Sequence, residues 1–176
     1  MSAAITLFEQ QGYDETTIAE IAEAAGLTKR TFFRYFADKR EVLFNGSEEL
    51  IELWVAAVAS APPDARPMAA VSAGLDQMAD LFLERHEYAA IRSRIVNANQ
   101  ELQERELIKL QSLAGAIKMA LIARGVSLNA AILAAQAGVT VFHVAFARWV
   151  EQDDPTVFRR LMDESLDELR SVTAAA

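Results

Sequence analysis

The stretch that most constrains this chain is Thr17 to Phe44, TIAEIAEAAGLTKRTFFRYFADKREVLF. It reads as two short helices on a tight turn, with a third beginning behind them. Thr17 suits the N-cap of the first, and Glu20 three residues on closes a capping box. Ile18, Ile21 and Ala22 then fall on one face at helical spacing. Ala25-Gly26-Leu27 makes the turn, where glycine takes the positive φ that ends a helix. Thr28 caps the second helix, Lys29 to Tyr35. Thr31, Phe32, Phe33 and Phe36 supply its apolar anchor, Phe32 and Phe36 as core, while Lys29, Arg30 and Arg34 supply charge. Asp38, with Glu41 three residues later, starts the next helix.

This is the layout of a helix-turn-helix, whose second helix enters the DNA major groove while the first braces it across the backbone. Residues 28–40 hold Lys29, Arg30, Arg34, Lys39 and Arg40 against Asp38 alone, a local charge of +4 on a chain of net charge −8. A basic patch on an acidic protein is an electrostatic footprint for phosphate. A solvated basic helix in an ordinary bundle is the competing reading of the bare pattern. Side chains near the start of a recognition helix reach base edges, and Lys29 and Arg30 stand there. Arg or Lys on the guanine edge is the commonest specific contact. Thr17, Thr28, Thr31, Tyr35 and Lys39 suit phosphates, which fix register without reading sequence.

The run Leu7-Phe8, Gly12-Tyr13, Thr16-Thr17-Ile18, Ile21-Ala22, Ala25-Gly26-Leu27, Thr31 to Phe36, Lys39 and Leu43 closely resembles the N-terminal DNA-binding domain of TetR-family transcriptional regulators. The likeness covers about the first 45 residues. The rest of the chain is similar in length, helicity and layout. The resemblance implies an all-α fold: a three-helix DNA-binding domain over residues 1–45, then a ligand-binding and dimerisation domain over 46–176. It also implies a homodimer on a palindromic double-stranded operator, a repressor's role and a small apolar or amphipathic effector. Family members commonly carry a tyrosine where this chain has Phe33 and a histidine where it has Tyr35. Phe33 lacks a hydroxyl, so that phosphate contact is lost or passes to Tyr35. Members also commonly carry basic residues ahead of the first helix, which here begins close to Met1.

Composition narrows the alternatives. Hydrophobic residues make up 52% of the chain, which places it among globular proteins. There is no cysteine, which removes disulfides, thiolate metal sites and cysteine nucleophiles and fits a reducing cytoplasm. The chain has two histidines, His86 and His143, and no His-x-x-x-His, Glu-x-x-His or Gly-rich phosphate loop. The expectation is therefore a non-enzyme without metal or cofactor. The longest apolar run, Ala130 to Val150, is interrupted by Gln136, Thr140, His143 and Arg148, and reads as a buried helix and not a membrane span.

In chain order, about nine helices are expected. The first spans 2–11 and is stopped by Gly12; a fourth runs from Lys39 to about Ser60 as a connector. Pro62-Pro63 and Pro67 make the clearest break, taken as the domain boundary, with helix 4 tilting to pass a ligand signal across it. Helices over about 68–85, 88–96, 100–124, 127–150 and from Asp154-Pro155 onward follow, with Ser127 and Asp154 as caps. An Ala-rich tail closes the chain.

Two further sites are expected. Met78, Phe82, Met119, Phe142, His143, Phe146 and Trp149 suit a ligand cavity, with Arg92 and Asn97 at its mouth, although Met and Phe at such spacing also make plain core. Arg92, Arg94, Leu102 and Arg105 resemble a pattern of the TetR subgroup with acyl-CoA-like ligands; surface ion pairing explains them nearly as well. For a dimer interface, the small-residue strip Ala131, Ala134, Ala135 and Gly138 joins Phe158, Leu161, Met162, Leu166 and Leu169. A helix apolar nearly all round has no solvent face to spare. The alternative function is a dimer that keeps the helix-turn-helix fold without reading DNA.

Overall fold

The computed structural model describes residues 3–174. Residue 2 of the expected first helix and the last two alanines of the tail lie outside the described residues. The helices are α1 (Ala3–Gln11), α2 (Ile18–Ala24), α3 (Lys29–Tyr35), α4 (Ser47–Ser60), α5 (Pro67–Phe82), α6 (His86–Asn97), α7 (Gln100–Ala123), α8 (Leu128–Trp149) and α9 (Phe158–Thr173). Short 3₁₀ turns stand at Arg40–Val42, Leu83–Arg85 and Pro155–Val157.

The chain divides into two compact units. One holds the residues up to Gly46 together with Glu87–Leu107; the other holds Ser47–His86 and the chain from Ile108 onward. This departs from a single cut at residue 45, because α6 and the first turns of α7 fold with the N-terminal helices. Ile91, Ile95, Val96 and Leu102 share one core with Ile5, Phe8, Ile21, Phe32, Leu43 and Phe44. Arg92 fastens them: its Nε donates to the Leu43 carbonyl at 2.7 Å, its Nη1 donates to Glu106 at 2.8 Å, and the guanidinium lies 4.8 Å from the Phe44 ring centre. Arg94 bonds Glu9 and Arg105 bonds Glu41.

The expected long fourth helix is two pieces. Asp38 accepts from the Arg40 and Glu41 amides and starts only a 3₁₀ turn. Gly46 then takes φ 90°, which breaks the run before Ser47 opens α4. Nor is Pro62-Pro63 a domain boundary. The prolines turn α4 back on α5 inside the second unit, and Arg124 donates to the carbonyls of Ala59, Ala61 and Pro62 to close that turn. Pro67 takes the first position of α5. Ser127 makes no side-chain cap for α8, whereas Asp154 accepts from the Thr156 amide at 2.9 Å.

The second unit packs α4 on α5, α5 on α8 and α8 on α9. Trp54 is fully buried and donates Nε1–H to the Val71 carbonyl at 2.9 Å. Two glycines make room for these bulky neighbours. A Cβ at Gly74 would sit 1.8 Å from Trp54 Cδ1, and one at Gly138 would sit 2.2 Å from Val71 Cγ1. The α8 strip is thereby explained: Gly138 meets Val71 of α5, Ala131, Ala134 and Ala135 are buried on α8 with it, and Phe158, Leu161, Met162 and Leu166 are equally buried within the unit. They are core of one chain, not an interface; Leu169 is half-buried. By length and composition α8 is apolar enough to cross a bilayer, with its inner side spent on this packing.

Gly74→Ala tests the packing by its sign. Alanine in a helix interior gains about 1 kcal/mol over glycine. Overpacking costs about 1–3 kcal/mol, and Trp54 is held by its own hydrogen bond and cannot swing aside. We expect net destabilisation of the second unit, read as a lower urea midpoint in tryptophan fluorescence, since both tryptophans lie there. A raised midpoint would mean that Trp54 does not fill the Gly74 gap.

Candidate nucleic-acid interface

The capping box at α2 is complete. The Glu20 amide donates to Thr17 Oγ1 at 3.3 Å, and the Thr17 amide and hydroxyl each donate to Glu20 Oε2 at 2.7 Å. Those bonds, the Thr17 amide first, hold the Glu20 carboxyl below its ordinary value. At the other end Gly26 takes φ 68°, the Leu27 amide donates to the Ala22 carbonyl at 2.8 Å, and the Gly26 amide donates to Glu23 at 2.9 Å. This is a Schellman ending, which fixes the turn between the two helices. Thr28 then caps α3 by accepting from the Thr31 amide at 3.2 Å, and the Thr28 and Thr31 hydroxyls lie 3.0 Å apart. Phe32 turns inward, 1% exposed, its ring 5.2 Å from Phe36.

With α3 so oriented, Lys29, Arg30, Phe33, Arg34 and Tyr35 are exposed, as are Thr17 and Thr28; Thr31 is half-buried. Among the described residues Lys29 and Arg30 have no ion-pair or hydrogen-bond partner. Arg34 donates to the Tyr35 hydroxyl at 3.1 Å and lies 4.9 Å from its ring centre. That contact gives its charge no acidic partner.

Lys39 stands apart from the other expected phosphate contacts. Its Nζ donates to the carbonyls of Tyr13 at 2.7 Å, Asp14 at 3.3 Å and Thr16 at 3.1 Å, and lies 4.1 Å from the Tyr13 ring centre. An ammonium has three donors, and all three are used on the α1–α2 connection. Arg40 is likewise paired with Asp38 through Nε and Nη2, and that hydrogen bond is the first cause of Asp38's lowered pKa. Of the five cations in residues 28–40, only the three on α3 present charge without an acidic or carbonyl partner. Tyr13 itself is buried and bonded to Glu101, which together, burial first, push its phenol far above the ordinary value.

The expected ligand cavity does not assemble as a set. Phe82, Phe142, Phe146, Trp149 and Phe158 meet one another, with Trp149 stacked on Phe158 at 4.4 Å, and Met78 and Trp149 are fully buried. Trp149 donates to the Pro155 carbonyl, and His86 lies within hydrogen-bond distance of the Trp149 carbonyl. Met119 and His143 face solvent instead of the rings. Arg92 is committed to Leu43 and Glu106, and Asn97 is exposed beside Ser93. The arginines of the acyl-CoA-like pattern are thus occupied in binding the N-terminal helices, a use that polar spacing alone did not reveal. Among the described residues no cluster of three or more His, Asp or Glu could hold a metal ion.

A capped three-helix unit presenting an exposed basic helix is a helix-turn-helix DNA-binding domain. Residues 1–45 match the profile of the bacterial regulatory proteins of the tetR family. The regulator TcmR of Streptomyces glaucescens is 42% identical over 69 residues, 39% of this chain and 30% of that protein. The regulator RutR of Escherichia coli is 31% identical over 71 residues, 40% of this chain and 34% of that protein. The chain thus matches about a third of the length of these relatives. The fold extends further. FadR of Thermus thermophilus, a TetR-family repressor solved with lauroyl-CoA, superposes over 99% of this chain and 93% of its own, with a TM-score of 0.60 at 19% identity. FadR of Bacillus halodurans gives 0.58 at 18% identity, over 96% of this chain and 93% of its own. Over its first 45 residues the chain is thus similar to the DNA-binding domain of tetR-family regulators, and the whole chain shares their all-helical fold.

The commitment of Lys39 yields a test. Lys39→Ala should lower stability by about 1 kcal/mol, the net worth of hydrogen bonds to part-buried acceptors. It should leave the salt slope of DNA binding unchanged, where loss of a phosphate contact would reduce it by about one. Measuring both on one preparation separates a structural lysine from a phosphate lysine.

Proposed function

We propose that the chain is a transcriptional regulator that binds a palindromic operator as a homodimer and acts as a repressor released by a small apolar or amphipathic effector. The observation that carries the reading is the exposed, uncompensated pair Lys29 and Arg30 at the start of α3, with Arg34 one turn on. Thr17, Thr28, Thr31 and Tyr35 flank them at the positions that would hold phosphates. Such a protein works in the cytoplasm, where the DNA is, and no catalytic constellation is part of the reading.

Two-fold symmetry supplies the second recognition helix. With the inward strip of α8 used by the core, the surface for a partner subunit is the outward side. Ile132, Leu133 and Val144 on α8 and Val172 on α9 are exposed there, Leu133 by 71%. Leu133, Thr140 and Val144 fall on one helical stripe. An open groove of about 700 Å³ between α8 and α9 has Val144, Leu169 and Val172 in its lining beside the charged Arg148, Glu164, Asp167 and Glu168. Apolar side chains of this size on an outward stripe favour a protein partner over water.

For the effector, the lauroyl-CoA of the Thermus FadR supports an amphipathic class. An effector changes operator affinity only by binding two states unequally. The chain passes between its two units at Gly46–Ser47, His86–Glu87 and Leu107–Ile108, so these three crossings are where a signal travels. A compound that binds tightly and leaves operator affinity unchanged is not that effector.

Selection from a random duplex pool at two salt concentrations tests DNA reading. A palindrome should be enriched, with affinity falling as salt rises. Lys29→Ala with Arg30→Ala should then cost on the order of 1–3 kcal/mol per base contact and relax specificity. If the double variant binds the selected operator like the parent, these two residues are not the readers. A dimer that enriches nothing would favour the non-reading alternative, for which the acidic total, the engaged Lys39 and the Asp38-paired Arg40 speak. Leu133→Glu, on the outward stripe, should shift the protein from dimer to monomer in sedimentation while leaving its helical signal intact.

A further inference from the structure

Phe33 is the one exposed side chain of α3 without a polar atom. It is 54% exposed, on a helix whose neighbouring phenylalanine is 1% exposed. Its ring stands edge-on to Phe32, centroids 5.6 Å apart and planes at 88°, so the core restrains it without covering it. It follows Lys29 by four residues and Arg30 by three, which places all three on one face of the helix. Thr28, Lys29 and Arg30 are exposed at the head of the same face.

A phenyl ring cannot bond a phosphate or a base edge, because it has neither donor nor acceptor. Burying it is favourable only against an apolar group. The edge of a major groove offers one such group, the 5-methyl of thymine, and phenylalanine is among the side chains that read it. Two cations flanking the ring would hold that face against the duplex. We propose that Phe33 is a specificity-determining residue that reads a thymine methyl beside the bases met by Lys29 and Arg30. The inference rests on the proposal that α3 enters the major groove.

The experiment separates the two. The full chain selects from two random duplex pools, one with thymine and one with uracil throughout, which differ by that methyl alone. Binding of the selected operator is then measured with uracil placed at each thymine in turn. The parent should enrich a thymine at a fixed half-site position, lose that preference in the uracil pool, and bind about fourfold more weakly when that one methyl is removed, the worth of one buried carbon. Phe33→Ala should bind the thymine and uracil operators equally. Phe33→Leu, which keeps an apolar group on an exposed site, should retain part of the discrimination. Equal motifs and affinities for the parent in both pools would overturn the role of Phe33, as would undiminished discrimination by Phe33→Ala. Failure of the parent to enrich from either pool would instead remove α3 as a reader, and this inference with it.

Discussion

The guanidinium of Arg92 is the contact on which the N-terminal unit depends. Its side chain is 15% exposed, which makes the charge costly unless it is bonded. Glu106 on the following helix and Leu43, 49 residues back, supply acceptors, and Phe44 supplies a π-face. An arginine presents a planar fork that can serve several partners at once, where a lysine ammonium cannot. The result is that residues 87–107, which follow 40 residues of the second unit, are part of the body that carries the reading helix. Arg105 to Glu41 and Tyr13 to Glu101 repeat the same connection from α7. The segment that carries three arginines of an apparent ligand motif is a structural brace.

Local structure was legible wherever one residue decides one backbone angle or one bond. Thr17, Glu20, Gly26 and Thr28 take the cap and turn positions that their chemistry predicts, and Gly12 and Gly125 stop their helices at positive φ. Gly46 was open to the same reasoning and decides as much, since it cuts the expected connector in two. Its apolar surroundings, Leu43-Phe44 before it and Leu50-Ile51 after it, continue a helical pattern and mask the break. Pro62-Pro63 misled in the opposite sense. A proline pair ends a helix, but whether the chain then leaves the unit or turns back into it is a matter of the packing that Trp54 and Val71 provide.

What the sequence could not supply was direction. On a helix apolar nearly all round, periodicity does not say which side meets its own chain and which meets another. Small residues on α8 suit a close approach by any partner. Here Gly138 takes Val71 of α5 and the Trp54 ring of α4 into its gap. The larger Ile132, Leu133 and Val144 are left outward. The same ambiguity governs the aromatic set. Phe82, Phe142, Phe146, Trp149 and Phe158 can line a cavity or fill one another's space, and ring contacts of 4.4 to 6.3 Å show the second arrangement among them.

Charge shows the difference between composition and availability most directly. A net +4 over residues 28–40 describes formal charges. The structure assigns Arg40 to Asp38 and Lys39 to three carbonyls, so the part of the patch behind α3 is spent on holding the unit together. Lys29, Arg30 and Arg34 remain, on one short helix, with the exposed rings of Phe33 and Tyr35. Three cations give a shallower salt dependence than five, and a larger share of discrimination must then come from contacts that salt does not screen. A ring on the same face as the cations is such a contact. Its orientation is fixed by Phe32 and by the Schellman turn that sets where α3 begins, so specificity on this surface traces back to Gly26 and Thr28 as much as to the residues that would touch a base.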